Sequence, residues 1–486
     1  MTVPAGEDLA VLAGEALGRS GVEIDKVSGQ TPVMSPVTGT PVAAVDYAAP
    51  GDVDAVVNQA TRAFLAWRAT PAPTRGALAG RLAELLRERW DDLATLVSLE
   101  SGTIISQARQ HVREMIGSCE FAAGLSRRLC GETQPGVTLH PLGVATVITA
   151  FDSPLAAWSW HTAVALACGD PVIWKPSRAT PLAALAAGAL LDQAITELRA
   201  PRNLSQVLLG GADVGNALAD HPDVAIVSAT GSARMGQAIG ARVAARSGRA
   251  LIETGGNHAA IVTSSADLDL AVRGIVHAAG IAGQPITARR VIAHRDMIEE
   301  LSNWLADACQ RLPVGNPLEA GTRVGPLIDD RAWKSMTDTL GAVRAQGGAV
   351  VTGGGRRLEQ EAPDAYYAEP ALVRMPVQTD IVREETSAPV LYVMPYSSLR
   401  EAIEVSNGTG PGGVSSIYTR DQAEAGMFLS AEGSDSATIN VNSAPAGAGN
   451  GGAFGDEAEP GGGPESAPDA WRSYLRRVRT TGGLSG

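Results

Sequence analysis

The sequence predicts an α/β protein built on a mostly parallel, doubly wound sheet. Short apolar segments alternate with longer helical ones, with strands predicted at 143–149, 172–174, 207–210 and 225–228, and helices at 158–167, 181–198 and 214–219. A second alternation predicts a second α/β domain, with strands at 292–293, 348–352, 389–394 and 415–418. Because a strand–helix–strand order produces parallel pairing, we expect ligands to bind at the carboxyl ends of the strands.

The remaining segments have simpler patterns. Residues up to about Val33 show no regular spacing, and we expect them to form a loose arm. Apolar residues recur at helical spacing between residues 51 and 89 and predict two amphipathic helices, with a third from Asp91 to Leu99. Residues 447–463 are rich in glycine and acidic residues, a composition typical of a flexible linker.

Bulk properties narrow the functional classes. The 486 residues are enough for two or three domains. A formal net charge of −13 and the lack of a basic stripe argue against a nucleic-acid partner. No apolar run has membrane-spanning length, and residues 1–30 lack the layout of a secretory signal, so we expect a cytoplasmic protein with no membrane partner.

The four cysteines predict reduced thiols. Cys119, Cys130, Cys168 and Cys309 are scattered along the chain without the spacing of metal ligands. Cys119 and Cys309 fall in helical patterns and Cys168 in a helix-to-strand turn, where a structural role fits better than a reactive one. The sequence therefore predicts no metal site.

The stretch from Leu251 to Arg290 holds a candidate general base. Glu253 lies beside the pliable backbone of Gly255 and Gly256 and could face a second loop, Gly-Gln-Pro-Ile-Thr at 283–287. That loop provides no thiol for a base to activate. From the residues alone, a strand end, a helix and a turn with a solvated glutamate stays open as an interpretation.

A turn and a lysine indicate a dinucleotide site. Residues 231–236, Gly-Ser-Ala-Arg-Met-Gly, follow a predicted strand and open a helix, which would present backbone N–H groups to a pyrophosphate. A simple tight turn is the alternative. Among the 39 basic residues only Lys26, Lys175 and Lys334 are lysines, so the lysine in Trp-Lys-Pro-Ser at 174–177 favours a need for a compact ammonium.

Several motifs, in a consistent order, resemble those of one family. They are ETGGNHAAIV at 253–262, ADLDLAV at 266–272, AGQ-x-x-TARR at 282–290, WKPS at 174–177, ATGSARMG at 229–236, EETSAPVLYV at 384–393, NVN at 440–442 and GGAFGDE at 451–457. From about Ser35 to Arg479 the sequence resembles aldehyde dehydrogenases, most closely the antiquitin type that oxidises α-aminoadipic semialdehyde.

The resemblance implies an aldehyde dehydrogenase fold with a particular division of the chain. A Rossmann-like dinucleotide domain would comprise residues 1–127 and 146–253, and a second α/β catalytic domain residues 254–450. A small oligomerisation element would use a hairpin within 128–145. Residues 451–486 would form the loop across the active-site mouth and the C-terminal segment. Family members are homodimers or homotetramers, and we expect the same here.

The resemblance also implies a nicotinamide dinucleotide, NAD or NADP. Ser232 and Gly231 would contact the pyrophosphate, Lys175 the adenosine ribose and Glu385 the nicotinamide ribose. The same site would include Trp174, Ser177 and Arg178. Many family members carry an acidic residue at the last of these positions, and an arginine would instead pair with a 2′-phosphate, which favours NADP.

Two departures from the family affect its chemistry. Family members read Gly-Gln-Arg-Cys-Thr where this chain reads Gly-Gln-Pro-Ile-Thr, so Ile286 takes the position of the nucleophilic cysteine, or that cysteine is deleted in a shortened segment. Asp152, in Phe-Asp-Ser-Pro at 151–154, replaces the asparagine whose amide stabilises the oxyanion. An ionised aspartate would repel that negative charge.

The resulting pocket is expected to be acidic. Glu253 and Glu465, the second at the position of a family pocket glutamate, would add to the charge of Asp152. Such a pocket suits an iminium or a protonated amine better than an oxyanion. His161 lies on the following helix at a position that faces the pocket in relatives, with a core histidine as the alternative.

Three functions remain compatible with the sequence. We favour an enzyme that performs thioester-independent chemistry on an amino-aldehyde-derived small molecule, either redox at a carbon–nitrogen centre or acid/base cyclisation or dehydration. The second is a catalytically inactive subunit that binds a nucleotide or an active homologue. The third is ordinary semialdehyde oxidation through a nucleophile that the sequence does not reveal.

Overall fold

The structure is a computed structural model that describes residues 3–131, 137–279, 288–386, 388–409, 413–444 and 470–479. Two of the predicted site residues, Ile286 and Glu465, lie outside the described residues, and so does the glycine-rich segment 447–463.

Helices and strands alternate along most of the described chain. The α-helices are α1 Gly6–Arg19, α2 Val53–Trp67, α3 Ala72–Glu88, α4 Trp90–Ser101, α5 Ile105–Gly131, α6 Pro154–Cys168, α7 Pro181–Glu197, α8 Ala212–Asp220, α9 Ala233–Ala245, α10 Leu268–Ala279, α11 Ile298–Gln310, α12 Asp330–Ala345, α13 Asp380–Arg383, α14 Leu399–Asn407 and α15 Gln422–Leu429. Short 3₁₀ segments span Ile24–Val27, Pro50–Asp52 and Ala470–Tyr474.

The strands are β1 Thr31–Ser35, β2 Thr40–Val45, β3 Val137–Pro141, β4 Val144–Ile148, β5 Val172–Lys175, β6 Ser205–Val207, β7 Val224–Gly231, β8 Arg249–Thr254, β9 His258–Val262, β10 Ala288–His294, β11 Ala349–Thr352, β12 Arg356–Arg357, β13 Tyr367–Ala368, β14 Ala371–Arg374, β15 Val390–Tyr396, β16 Val414–Tyr418, β17 Thr438–Val441 and β18 Leu475–Arg479.

The first large sheet is parallel and doubly wound. Its strand order is β6-β5-β4-β7-β8, and every neighbouring pair is parallel. Apolar side chains of α6 and α7 pack on one face, and those of α8 and α9 pack on the other. The chain adds strands in one direction from β4 and then in the other from β7, so the switch point of the sheet lies between these two strands.

The second large sheet has seven strands in the order β11-β14-β15-β10-β9-β16-β17. All of its neighbours are parallel except β11, which pairs antiparallel with β14. Central residues alternate between two apolar clusters: Ile261 and Ile292 belong to one face, and Ala260 and Val291 to the other. The predicted fold class, two α/β units with mostly parallel sheets, is confirmed.

The prediction of a loose N-terminal arm is wrong. Residues 6–19 form α1, whose Leu9, Ala13 and Leu17 are buried in the main apolar cluster. Burying each leucine side chain stabilises the packed helix by about 1.5–3 kcal/mol, and this more than offsets a weak helix propensity of the segment. The spacing of these residues is helical, so the sequence does carry a signal for this helix.

A two-stranded ribbon joins two distant parts of the chain. Strand β3 pairs antiparallel with β18, with Pro141 opposite Leu475 and Val137 opposite Arg479. Residues 128–145 were expected to contain a hairpin. Among the described residues this region holds the end of α5 and strand β3, and β3 pairs with the C-terminal strand β18. A role in oligomerisation stays a prediction. No helix in the described part of the chain is both long and apolar enough to cross a membrane.

Glu100 anchors the start of α7, the helix that follows the Trp-Lys-Pro-Ser loop. Its buried carboxylate accepts hydrogen bonds from the backbone N–H groups of Leu182, at 2.5 Å, and Ala183, at 2.8 Å. These are first-turn donors that have no partner inside their own helix. Burial raises the pKa of Glu100 to about 8, although both hydrogen bonds act in the opposite direction.

We expect Glu100 to make stability depend on pH. Its pKa in the folded chain exceeds the unfolded value of about 4.3, so its contribution is complete below about pH 4 and is lost as the pH rises through 8. Relative to Glu100→Gln, the wild type should lose about 2–4 kcal/mol of unfolding free energy between pH 5 and 9. Urea unfolding of both proteins at pH 5, 7 and 9 measures this difference, and parallel curves would contradict it.

Candidate active site

The candidate site lies at the carboxyl edge of the five-stranded sheet. Asp152 follows β4, Lys175 ends β5, Ser232 follows β7, and Glu253 is the next-to-last residue of β8. These strands are parallel, so their carboxyl ends meet at one edge, and the crevice opens at the switch point between β4 and β7. The fold thus brings together residues separated by about a hundred positions.

Lys175 is a largely buried lysine at the end of β5. The residue is 8% exposed, and the structure gives its Nζ no hydrogen-bond acceptor among the described residues. Burial is the main cause that lowers the pKa of Lys175 to about 8, Arg178 lowers it further, and Asp213 raises it. A ligand hydroxyl or anion at this position would supply the missing acceptor.

The loop after β5 is held by Tyr47. The Tyr47 hydroxyl donates to the carbonyl of Arg178 at 3.0 Å, and the Arg178 guanidinium lies 4.5 Å from the centre of the Tyr47 ring. The Ser177 hydroxyl accepts from the backbone N–H of Ala179 at 3.2 Å. The exposed Arg178 side chain is therefore stacked on an aromatic ring while its charge stays available to solvent.

Trp174, predicted to bind the cofactor, has its side chain in the core. Its indole is fully buried, stacks on Trp158 with ring centres 4.5 Å apart, and donates to the Thr149 hydroxyl at 3.0 Å. Its carbonyl accepts from Leu208 N–H at 2.8 Å. Because neither group is left to face a ligand, Trp174 acts by fixing the end of β5 beside Lys175.

The turn at 231–236 has the geometry of a helix N-terminus. Ser232 is the N-cap of α9, and its hydroxyl accepts from Met235 N–H at 3.3 Å. The first N–H groups of a helix lack intrahelical acceptors and attract anions. A side chain at Gly231 would meet Met235 Cε at 2.6 Å, and one at Gly236 would meet Thr254 Cγ2 at 2.6 Å, so both glycines allow close packing of this turn.

Glu253 is partly buried on the face of the sheet that α6 covers. It pairs with Thr230 of β7, two residues beyond the pair formed by Ser228 and Leu251. Paired residues of parallel strands project to the same face, so these four side chains share one face. Leu251 packs in the same apolar cluster as Trp158 of α6, which identifies that face.

The segment after Glu253 connects the two large sheets. Gly255 N–H donates to the carbonyl of Gly231 at 3.0 Å, which ties it to the turn before α9. From the other side the Glu385 carboxylate lies over Gly255 so closely that a Cβ there would be 2.4 Å from Glu385 Oε2. Only glycine allows this contact without moving the carboxylate.

Arg289 is a site residue that sequence reasoning missed. It is 8% exposed, lies on β10, and forms an ion pair of 3.1 Å with Glu385 and a hydrogen bond to the carbonyl of Thr386. Its charge is also close enough to lower the pKa of Asp152. The Thr-Ala-Arg-Arg motif at 287–290 shows two adjacent arginines near the candidate site, but the sequence alone does not show which of them faces the carboxylates.

Its neighbour Arg290 instead supports the backbone. The guanidinium donates to the carbonyls of Asn257, Val405 and Ser406 and to the side chains of Gln378 and Thr409. The loop that follows Glu253 is therefore pinned to the end of α14 by a buried cation.

Asp152 has a pKa near neutrality. Burial is the main cause that raises the pKa of Asp152 to about 6, and the charge of Glu385 raises it further. Hydrogen bonds from its own backbone and from Ser153 N–H, the second at 3.1 Å, lower it, as does Arg289. Around pH 6 this carboxyl group can both give and take a proton.

His161, predicted as a catalytic candidate, is 1% exposed. Its Nδ1 lies 2.8 Å from the hydroxyl of Tyr474, a C-terminal residue that the sequence did not connect with the site. Burial lowers the pKa of His161 to about 4, while the charge of Glu253 raises it, so the imidazole is neutral at physiological pH.

The described cysteines are unsuited to nucleophilic attack. Cys119, Cys168 and Cys309 are all buried. Burial raises the pKa of Cys119 to about 12 and that of Cys309 to about 11, and raises the pKa of Cys168 well above its usual range. Since the thiolate is the attacking form, these thiols are inert near neutral pH. The chain has no cysteine between residues 168 and 309.

Carboxylates, histidines and cysteines do not gather into a metal site in the part of the chain that the structure describes. The acidic residues of the crevice are spread over several strand ends instead.

We expect Gly255→Ala to displace the Glu385 carboxylate and to break its ion pair with Arg289. The added methyl group should lower the free energy of unfolding by about 1–3 kcal/mol, as is typical of overpacking. The matched control is Gly341→Ala on α12, where a Cβ meets no atom within 4 Å and should stabilise the helix by about 0.5–1 kcal/mol. Thermal unfolding of both variants measures this, and equal shifts of Tm would contradict the prediction.

Known proteins match this chain over most of its length. The aldehyde dehydrogenase 7 member A1 of Pisum sativum is 37% identical over 458 residues, which cover 92% of this chain and 89% of the pea protein. The α-aminoadipic semialdehyde dehydrogenase of Bos taurus is 36% identical over 457 residues, 92% of this chain and 84% of the bovine protein.

A solved structure and a family model agree with these relatives. The crystal structure of PnpE in complex with nicotinamide adenine dinucleotide superimposes with a TM-score of 0.85 at 28% identity, covering 93% of this chain and 94% of PnpE. The predicted aldehyde dehydrogenase fold and the resemblance to the antiquitin type are thereby confirmed. The sequence model described as "Aldehyde dehydrogenase family" matches residues 24–479, and the chain belongs to that family.

Proposed function

We propose that this protein is a nicotinamide-dependent oxidoreductase that acts at a carbon–nitrogen centre without a cysteine nucleophile. The substrate class is a cyclic imine or hemiaminal derived from an amino-aldehyde. Support comes from the bovine relative, whose name specifies α-aminoadipic semialdehyde, a compound in which an amine and an aldehyde occur together. A cytoplasmic location and a homodimer or homotetramer remain predictions from the sequence.

The described residues fit a dinucleotide. The N-terminus of α9 offers unpaired N–H groups beside Ser232 and Gly231 for a pyrophosphate. Lys175 is a buried donor in need of an acceptor, and Glu385 is a carboxylate at the crevice for ribose hydroxyls. The relative PnpE was crystallised with the same class of cofactor. A bound nicotinamide supplies hydride transfer.

The observation that carries the proposal is the concentration of carboxylates where an oxyanion would have to form. Asp152 stands at the position of the family's oxyanion asparagine, and the charge of Glu385 acts on it. At neutral pH a negative Asp152 disfavours a tetrahedral oxyanion and favours a cation such as an iminium.

The carboxylates of the site have a defined task in this chemistry. When a hemiaminal is oxidised to an amide, its hydroxyl proton has to leave, and a carboxylate within reach accepts it. Asp152, with a pKa of about 6, is suited to exchange that proton, and Glu253 is the second candidate. Arg289 pairs with Glu385 and so limits the electrostatic repulsion between the carboxylates of Glu385 and Asp152.

The other two interpretations make different demands. Oxidation through a thioester needs a thiolate, and the described thiols are buried with raised pKa values. An inactive subunit needs no carboxylate with a pKa near neutrality. Replacing Asp152 therefore distinguishes the two interpretations, because it should change the activity of an enzyme and have no such effect in an inactive subunit.

We expect Asp152→Asn to abolish one step of the pH profile. The purified wild type, given NAD⁺ or NADP⁺ and amino-aldehydes in equilibrium with their cyclic imines, should show kcat/KM that changes around pH 6. In the variant that change should vanish, with a loss in kcat of about 10²–10⁴-fold because general acid/base catalysis is removed. Absorbance of the reduced nicotinamide measures both.

Glu253→Gln tests the second carboxylate in the same assay. No turnover by the wild type with either cofactor and any of these substrates would overturn the proposed function. Nucleotide binding without turnover in calorimetry would then identify an inactive subunit.

We further propose a preference for NADP over NAD, carried by Arg178. A guanidinium stacked on Tyr47 can form a bidentate pair with a 2′-phosphate, whereas it cannot accept from a 2′-hydroxyl. We expect Arg178→Gln to weaken NADP⁺ binding about tenfold or more, since a charge-assisted hydrogen bond contributes about 1.5–3 kcal/mol. NAD⁺ binding should stay within about twofold, a change of roughly 0.4 kcal/mol. Equal losses for both in isothermal titration calorimetry would refute the preference.

A further inference from the structure

Arg289 lies at an irregularity in a central strand of the seven-stranded sheet. Strand β10 runs between β9 and β15. Its register against β9 shifts at Arg289, because Ala288 pairs with His258 whereas Arg290 pairs with the next residue, Ala259. An extra residue in a strand re-aims the side chain at that point, and such irregularities are common beside active sites. The direction of the Arg289 side chain is therefore set by a strand that is paired on both sides.

The guanidinium of Arg289 holds the segment before β15 at two points. It donates to the carbonyl of Thr386, and its Nη2 lies 3.1 Å from Oε1 of Glu385. The Arg289 side chain is 9% exposed and that of Glu385 is 30% exposed, so the pair lies at the border between the core and the crevice. One rigidly mounted side chain thus fixes both the backbone at Thr386 and the carboxylate of Glu385.

This ion pair uses only one oxygen of the Glu385 carboxylate. Oε1 accepts from Arg289, whereas Oε2 receives no hydrogen bond from the residues that the structure describes. Oε2 lies against the backbone of Gly255, where a Cβ would be only 2.4 Å away. An ionised carboxylate accepts several hydrogen bonds, so Oε2 remains available to accept from a ligand hydroxyl.

We propose that Arg289 is a positioning residue of the dinucleotide site: by holding Oε1 of Glu385, it keeps Oε2 in place for the hydroxyls of the nicotinamide ribose. Glu385 contacts the cofactor, and Arg289 acts through Glu385. The inference rests on the dinucleotide site of the proposed function and not on its carbon–nitrogen chemistry.

Loss of the guanidinium would release the carboxylate. Without Arg289, Glu385 keeps no hydrogen-bond donor among the described side chains, and the charge of Asp152 acts on it without compensation. Like charges in a partly buried site repel each other, and a long side chain without a partner gains rotamer freedom. A Glu385 side chain that moves in this way has to be ordered again when a ribose binds, so the affinity falls.

Calorimetry with whole and truncated cofactors isolates this effect. NAD⁺ and NADP⁺ contain the nicotinamide ribose, whereas ADP and 2′,5′-ADP lack it. We expect Arg289→Met to weaken dinucleotide binding about tenfold, equivalent to about 1.4 kcal/mol, and to leave the affinity for ADP and 2′,5′-ADP within about twofold. Arg289→Lys, which retains a cation, should lose less. Equal losses for dinucleotides and fragments would overturn the inference, since they would indicate a general disturbance of the fold.

A double-mutant cycle shows whether Arg289 acts through Glu385. Glu385→Gln should also weaken dinucleotide binding about tenfold, and adding Arg289→Met to it should cause no further loss. The double variant leaves no unpaired charge of this ion pair, so it decides the inference even if Arg289→Met alone does not fold. A further loss of affinity in the double variant would overturn the inference.

The matched control is Arg356→Met. The Arg356 side chain is 17% exposed, pairs with Glu359 at 3.4 Å and donates to the carbonyl of Ala365 at 2.9 Å. It therefore has the same kinds of partner as Arg289, but it lies on β12 and not at the crevice. We expect this variant to lower Tm and to leave every affinity within about twofold. A selective loss of dinucleotide binding here would overturn the assignment to Arg289.

Binding and turnover separate this inference from the proposed function. A wild type that binds dinucleotides without turnover would overturn the proposed chemistry, and the affinities would still decide the role of Arg289. Turnover by the wild type, with unchanged dinucleotide affinity in Arg289→Met, would overturn the inference alone. A wild type with no affinity for either dinucleotide would overturn both.

Discussion

The approach of the Glu385 carboxylate to the backbone at Gly255 is the contact on which the candidate site depends. A Cβ at residue 255 would lie 2.4 Å from Glu385 Oε2, so the carboxylate can hold this position only over a glycine. The same residue donates from its N–H to the carbonyl of Gly231, before the turn that opens α9. The backbone at Gly255 thus contacts both the turn before α9 and the Glu385 carboxylate, which comes from the loop before β15.

The charges at this junction follow from that distance. Arg289 reaches Glu385 from β10, and both act on the pKa of Asp152 across the crevice. Burial raises the pKa of Asp152, and Arg289 keeps it from rising further. Asp152 is therefore a carboxyl group with a raised pKa at the end of β4, and under the proposed function it exchanges the proton of the substrate. Retaining Lys175 and Ser232 beside it is consistent with a site that still handles a dinucleotide.

The face of the first sheet that carries Glu253 has its own constraint. Tyr474 fastens the C-terminal segment to β7 and α6 through buried hydrogen bonds, and the exposed Arg249 of β8 donates to the carbonyl of Ser473. Removing the Tyr474 hydroxyl would take a hydrogen-bond partner from the buried Ser228 and His161 side chains, at a cost of about 1–3 kcal/mol. The segment is therefore held firmly on the sheet, close to Glu253.

The alternation of apolar strands and helices determined the α/β class, and the motif order determined the family, because both are carried by residues close together in sequence. The sequence pattern locates β4, β5 and β7 within a few residues. It gives no separate prediction of β8 and β9, because the glycines that follow Glu253 interrupt the strand pattern. The helix at 6–19 was not predicted although Leu9, Ala13 and Leu17 recur at helical spacing. Candidate residues at strand ends could be predicted for the same local reason.

Only the tertiary structure decided that Trp174 packs in the core, that Arg289 and not Arg290 pairs with Glu385, and that Tyr474 reaches His161. These outcomes depend on contacts between residues as much as 313 positions apart, and such contacts leave no periodic trace in the sequence.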